Sequence, residues 1–199
     1  AARLIGKERG EDPLFVFVYT AANHFPWDTR YRPDLTPKWK PLNADSEADE
    51  YIRRQRISAR DYVDFVASLK KSYPDDAFLI LRFGDHTPAI AARLVEPGLP
   101  DAEIAERVMA YDPRYFSTYY SIDTINFNPV DLSSARDQLD AAYLPLVVQE
   151  AAGLPLDSSF AEQKKILQRC NGAFYLCHDG AEARRFNRLL VESGLIKGF

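Results

Sequence analysis

Leu14–Tyr19 (LFVFVY) is a nearly unbroken run of aromatic, aliphatic and β-branched side chains. Without polar alternation, such a run fits a strand buried on both faces, as in a parallel sheet. Ala77–Phe83 (AFLILRF) repeats the character, with Arg82 as its interruption and Gly84 as its close. Between the two runs the period changes: Tyr62, Phe65, Val66 and Leu69 fall at i, i+3, i+4 and i+7. That spacing predicts a helix running to about Tyr73, stopped by Pro74, Asp75 and Asp76. Strand, helix and strand in this order predict a right-handed βαβ unit, with the loops after both strands at the same end of the sheet.

Pro26, Pro33, Pro37 and Pro41 break the stretch from Asn23 to Asp49, which is read as one long loop. It carries Trp27, Tyr31 and Trp39, so it is expected to pack over something, the edge of the sheet being the simplest cover. Further on, Asp101–Ala110 reads as a helix, Tyr115–Ile122 as an aromatic strand and Ser133–Tyr143 as a helix. Another helix is expected from about Pro145 to Gly153. Ser159 and Glu162 form a capping box for Phe160–Cys170, and Asn171-Gly172 supplies a left-handed stop. Ala173–Cys177 reads as a short strand, and Asp179 as the cap of a last helix ending at Gly194. With no repeat or linker, residues 1–199 read as a single domain.

Composition narrows the function classes. The 199 residues are 46% hydrophobic and 27% charged, which is globular and excludes disorder. A formal charge of -4 has the wrong sign for a nucleic-acid partner. No apolar stretch is long enough for a signal peptide or a membrane span, so the chain is expected to be soluble as it stands. Cys170 and Cys177 are too few for a disulfide framework and lack structural-zinc spacing.

The candidate chemistry lies at the ends of the two apolar runs. Asp85-His86 follows the second run directly after Gly84, where ligands bind in an open parallel sheet. A carboxylate and an imidazole suit Zn²⁺ or Mn²⁺, although a tight zinc site needs a third protein ligand. The plain alternative makes Asp85 a turn cap and His86 an ordinary loop histidine. His24 follows the first run. If the two strands are neighbours, His24 opens onto the same crevice, able to donate to a phosphate or sulfate oxygen or to protonate a leaving group. Otherwise it packs against Phe25 and Trp27. His178 reads as structural. Arg53, Arg56 and Arg60, like Arg184, Arg185 and Arg188, read as solvated, salt-bridged helix faces. No Walker loop, G-x-G-x-x-G, G-x-S-x-G or HExxH occurs.

The succession LFVFVYT, NHFP, DFVASLKKSYPDD and AFLILRFGDH, from about Pro13 to Pro88, resembles the sulfatase-like transferases of the alkaline phosphatase superfamily. These include lipoteichoic acid synthases, phosphoglycerol transferases and phosphoethanolamine transferases. The resemblance implies an α/β fold: a partial alkaline phosphatase-like sandwich, mainly parallel sheet with helices on both faces, and added C-terminal helices and short strands. It implies Asp85 and His86 as two ligands of a catalytic Mn²⁺ or Zn²⁺, and His24 as a substrate residue near the transferred phosphate.

The family's nucleophilic threonine lies upstream of the first strand, where this chain has only 13 residues. The sequence is therefore expected to be the C-terminal segment of the catalytic domain, with no catalytic nucleophile of its own and, alone, little activity and weak metal binding. The expected reaction moves a phosphoglycerol or phosphoethanolamine group from a lipid donor to a glycan or lipid acceptor. A sulfatase or phosphodiesterase of the same fold, and a non-catalytic module with a vestigial metal site, are the alternatives. Expected partners are a lipid-linked or glycan phosphate or sulfate ester, the missing N-terminal half, and a membrane reached through segments outside this chain, on the periplasmic or extracellular face.

Overall fold

A computed structural model describes residues 1–197. The chain mixes helix and sheet, and its contacts group it into two units. The first comprises Ala1–Asp76 and His86–Tyr119; the second comprises Ala77–Asp85 and the chain from Tyr120 onward.

The first unit is built on one long helix. Helix α1 spans Ala2–Glu8 and α2 spans Ser46–Ser72. Asp45 caps α2, accepting from the backbone N–H groups of Glu47 and Ala48 at 3.0 and 3.2 Å. The helix ends at Tyr73, just before Pro74, as expected. It begins well before the apolar period at Tyr62, inside the stretch read as loop. Ala48, Asp49, Glu50, Arg53 and Arg54 are all buried in its N-terminal half. Arg53 and Arg56 were expected on a helix face, but the charged first turns hid where the helix begins and that it is buried, because periodicity counts only apolar side chains. Short helices α3 (Ala92–Val95) and α4 (Asp101–Met109) follow, the latter close to the expected range.

Leu14–Tyr19 is not a strand. Among the described residues it has no regular secondary structure and no ladder hydrogen bonds, and Phe15, Phe17 and Tyr19 are 79%, 67% and 65% exposed. A strand needs a neighbour to satisfy its N–H and C=O groups, and this segment has none here. The parallel βαβ unit is therefore not formed among the described residues.

The second unit contains a two-stranded antiparallel sheet. Strand β1 is Phe78–Phe83 and β2 is Tyr120–Ile125, with Phe78 opposite Ile125 and Phe83 opposite Tyr120. Strand β1 is half-buried, not covered on both faces, and β2 overlaps the expected aromatic strand Tyr115–Ile122 only at its last three residues, Tyr120 to Ile122. Helices α5 (Leu144–Ala152), α6 (Ser158–Cys170) and α7 (Ala181–Glu192) follow. Gly153 ends α5 in the left-handed region at φ 70°, as its position predicts. Asn171 and Gly172 end α6 in the same way, at φ 49° and 90°. A Cβ on Gly172 would lie 2.5 Å from the Gln138 carbonyl oxygen, so this close approach admits no side chain.

Four local expectations fail. Ser133–Tyr143 forms turns and a 3-10 segment at Ala141–Tyr143. The cap of α6 is Asp157, whose carboxylate accepts from Ser159 and Phe160 N–H, so Ser159 is inside the helix. Ala173–Cys177 is bent, and α7 starts after Gly180 without a side-chain cap, Asp179 sitting at φ 54°. The core is Tyr143, Leu146, Ile166, Leu167, Phe174 and Phe186, with Phe174 edge-on to Tyr143 and Phe186 at 5.5 and 5.7 Å. Cys170 and Cys177 form a disulfide with their Cα atoms 5.7 Å apart, tying the end of α6 to the loop before α7.

Candidate functional site

The long loop after the apolar segment is ordered by four buried charges on α2. Arg54 wraps its guanidinium in backbone oxygens, donating to the carbonyls of His24 (2.8 Å), Pro26 (2.8 Å) and Thr29 (2.9 Å). Its Nε donates to Glu50 Oε1 at 2.7 Å. Arg53, wholly buried, donates to Glu50, to Thr36 Oγ1 and to the Tyr31 carbonyl. The Tyr31 N–H donates to Glu50 as well, at 2.9 Å. Asp49 accepts from Trp39 Nε1 at 2.9 Å and from the Leu42 N–H at 2.7 Å. A loop with few helical or ladder bonds must satisfy its backbone elsewhere, and here it does so on charged side chains.

Burial pushes the Glu50 carboxyl upward, but the hydrogen bonds from Arg53, Arg54 and Tyr31 outweigh it and hold the group at about 2. Glu50 is thus ionised throughout the ordinary pH range. The loop aromatics cover this helix and not a sheet edge: Trp27 lies edge-on to Tyr51 at 5.9 Å, and the Arg54 guanidinium stands 5.5 Å over the Tyr31 ring.

On the outer side of the loop lies an open hollow of about 450 Å³, lined among others by His24, Phe25, Pro26, Arg30, Arg32 and Arg54. The His24 Nδ1 hydrogen-bonds the Phe25 carbonyl at 3.0 Å, so that nitrogen carries a proton and Nε2 is left to meet a ligand. Protonated on both nitrogens, the ring donates to an anionic oxygen through Nε2. Its ring also lies 4.2 Å from that of Phe25. His24 thus packs against Phe25, and the hollow it lines is not the crevice expected to be shared with Asp85 and His86.

Asp85 and His86 are exposed and do not line this hollow. The division between the units falls between them, with His86 in the unit that holds His24 and Asp85 in the other. The His86 Nδ1 lies 3.3 Å from the Thr87 carbonyl, and Thr87 Oγ1 donates to the Ser117 carbonyl at 2.8 Å. By donor type the pair suits Zn²⁺ or Mn²⁺. By number it falls short: no group of three or more His, Cys, Asp or Glu side chains placed to hold an ion occurs among the described residues. His178 is exposed, 3.9 Å from Glu182, and belongs to no metal-holding group among the described residues.

Of the four buried charges on α2 only Arg53 was expected on a solvated helix face, and it is wholly buried. The spacing was visible, since Arg53 and Arg54 stand three and four residues after Glu50, the ion-pair separations of a helix. What spacing lacks is burial. Of the three arginines singled out there, Arg60 is indeed solvent-exposed, and Arg56 is exposed with its guanidinium 5.9 Å from the Trp39 ring.

No family model, curated protein or solved structure matches this chain. A functional reading therefore rests on the chain's own residues: the NHFP and FGDH segments, the hollow and the disulfide. No helix among the described residues is long and apolar enough to cross a membrane.

Proposed function

We propose that this chain is the C-terminal segment of a sulfatase-like, metal-dependent phosphotransferase that moves a phosphoglycerol or phosphoethanolamine group from a lipid donor to a glycan or lipid acceptor. The observation that carries the reading is the cationic hollow opened by His24, in a loop whose backbone is fixed by buried ion pairs. An ordered loop presenting an imidazole and guanidinium groups suits the oxygens of a phosphate or sulfate ester. In the complete domain, Leu14–Tyr19 enters a mainly parallel sheet with helices on both faces, shared with strands of the N-terminal half. Its apolar side chains and unpaired backbone support that role.

Asp85 and His86 would supply two of the ligands of a Mn²⁺ or Zn²⁺, the others coming from outside the described residues. Such an ion, when bound, acts as a Lewis acid and makes a coordinated hydroxyl nucleophilic. His24 binds and orients the phosphate oxygens, and protonates a leaving group when its ring is charged. The Cys170–Cys177 disulfide supports an oxidising compartment, the periplasmic or extracellular face of the membrane, reached through segments outside this chain.

The test supplies this chain in one polypeptide with the N-terminal half, on vesicles of phosphatidylglycerol or phosphatidylethanolamine with Mn²⁺ or Zn²⁺. Headgroup transfer to a hydroxyl acceptor is expected, abolished by Asp85→Asn or His86→Ala and lowered by about a hundredfold or more in His24→Ala. Full transfer by Asp85→Asn, or tight stoichiometric metal in the isolated chain, overturns the reading. Headgroup release to water without transfer overturns the transferase assignment in favour of a hydrolase.

A further inference from the structure

Three arginines line the hollow, and their surroundings differ. Arg54 is tied to Glu50 and to three carbonyls. Arg32 is held by its own neighbour Asp34, with Nη2 2.7 Å from Oδ2. Arg30 makes no hydrogen bond among the described residues. Its guanidinium stands 3.6 Å from Asp49 Oδ2 and 3.8 Å from Glu50 Oε2, close enough for charge to orient it and too far for a bond. Both carboxylates are engaged elsewhere, Asp49 by Trp39 and Leu42, Glu50 by Arg53, Arg54 and Tyr31. Arg53 and Arg54 both pair with Glu50, and Arg30 stands near Asp49 and Glu50, so three guanidiniums and two carboxylates sum to one positive charge, and Arg30 is the partly exposed member of the group that makes no hydrogen bond and lines the hollow.

We infer that Arg30 is the anion-holding residue of the hollow, its guanidinium taking two oxygens of a tetrahedral phosphate or sulfate ester while His24, in the same lining, meets a third. A planar guanidinium that makes no hydrogen bond of its own matches such an oxygen pair. The rings of Phe25, Pro26 and Tyr31 in the same lining suit the carbon portion of an ester over a bare inorganic ion. The inference rests on the phosphoester reading for the class of ligand and on the geometry for the residue. It needs no metal and no turnover.

The experiment titrates the full chain, metal-free, with sn-glycerol 3-phosphate, inorganic phosphate and inorganic sulfate at constant ionic strength. It follows the Arg30 Nε–H and His24 ring signals by NMR. A parallel arm uses vesicles with and without phosphatidylglycerol, which separates a lipid headgroup from a free phosphoester; saturable binding in either arm that shifts both signals supports the site. Arg30→Gln is expected to weaken binding at least about tenfold, Arg30→Lys to recover part of the loss, and Arg32→Gln to stay within about twofold of the parent. Unchanged tryptophan fluorescence in each variant shows that the loop has kept its structure. Arg30→Gln binding as tightly as the parent, equal losses in Arg30→Gln and Arg32→Gln, or no saturable binding in either arm overturns the inference. Because no turnover is read, loss of transferase activity in the complete domain leaves this result standing.

Discussion

Between Tyr143 and Phe186 the second unit closes over buried rings and aliphatic side chains, with a disulfide beside them. From His24 to Leu42 the first unit is held instead by Asp49, Glu50, Arg53 and Arg54. The two solutions have different consequences. Apolar burial is non-directional and pulls a segment inward until its surface is covered. Charged hydrogen bonds fix particular backbone atoms while leaving side chains between them outside. Arg54 binds the carbonyls of His24, Pro26 and Thr29, yet the His24 ring stays exposed. A loop that must be both ordered and open is better served by the second device, and that is where the hollow lies.

The largest expected effects come from removing the centre of each arrangement. Glu50→Ala leaves two buried guanidiniums without their carboxylate and is expected to cost about 3–5 kcal/mol in the first unit. Phe174→Ala empties a site shared with Tyr143 and Phe186 and is expected to cost a similar ~3–5 kcal/mol in the second. Both tryptophans, Trp27 and Trp39, belong to the first unit, so their fluorescence reads Glu50→Ala, while amide exchange in α6 reads Phe174→Ala. A loss of loop order in Phe174→Ala, or of α6 protection in Glu50→Ala, would show the two arrangements to be one.

The same contrast explains what could be read in advance. Apolar spacing is a good guide to helices that bury apolar faces: the C-terminal half of α2, α4, α5 and α6 all fall close to where it puts them. Asn171-Gly172 was legible because left-handed backbone has few tenants. The burial of the N-terminal half of α2 was not, although Arg53 and Arg56 were placed on a helix, since Asp49, Glu50, Arg53 and Arg54 carry no sign of burial in one dimension. Nor was Arg30 singled out, because its distinction is a lack of hydrogen bonds beside similar arginines that have them. Leu14–Tyr19 fails for another reason: its strand character is genuine in composition but needs neighbours that the described residues do not provide.

Opening the disulfide is a smaller perturbation. Cys170→Ser with Cys177→Ser removes a short loop closure, expected to cost about 2 kcal/mol in the second unit and nothing at the loop of the first. Thermal melting followed by α6 exchange and by tryptophan fluorescence separates the two.

The response to pH should differ in direction. The Glu50 carboxyl is depressed from 4.5 to about 2, so its stabilisation is present above about 4.5 and disappears as pH falls toward 2. Tyr143 is raised from 10.0 to about 12 by burial and then by the Asp140 charge, with its hydroxyl donating to the Ala173 carbonyl at 3.0 Å. Its unfolded form ionises first, so the second unit loses stability as pH climbs from about 10 to 12. Tryptophan fluorescence is expected to report the acid transition, and α6 exchange the alkaline one. Acid loss of the loop that is absent in a Glu50→Gln background would assign it to this carboxyl.

The smallest effect is expected at the most apolar segment. Phe15 and Phe17 are 79% and 67% exposed, in backbone with no ladder partner, so replacing them removes almost no burial from the folded chain. Phe15→Asp with Phe17→Asp should therefore change thermal stability by no more than about 0.5 kcal/mol. Self-association is a different matter. A run of exposed apolar residues with unpaired N–H and C=O groups is the kind of surface that pairs with other chains, and two carboxylates there oppose it. Sedimentation velocity across a concentration series should show less association in the double variant than in the parent. A loss of more than about 1 kcal/mol would instead mean that the segment is already packed within the chain, and the contrast between this segment and the buried rings of the second unit would disappear.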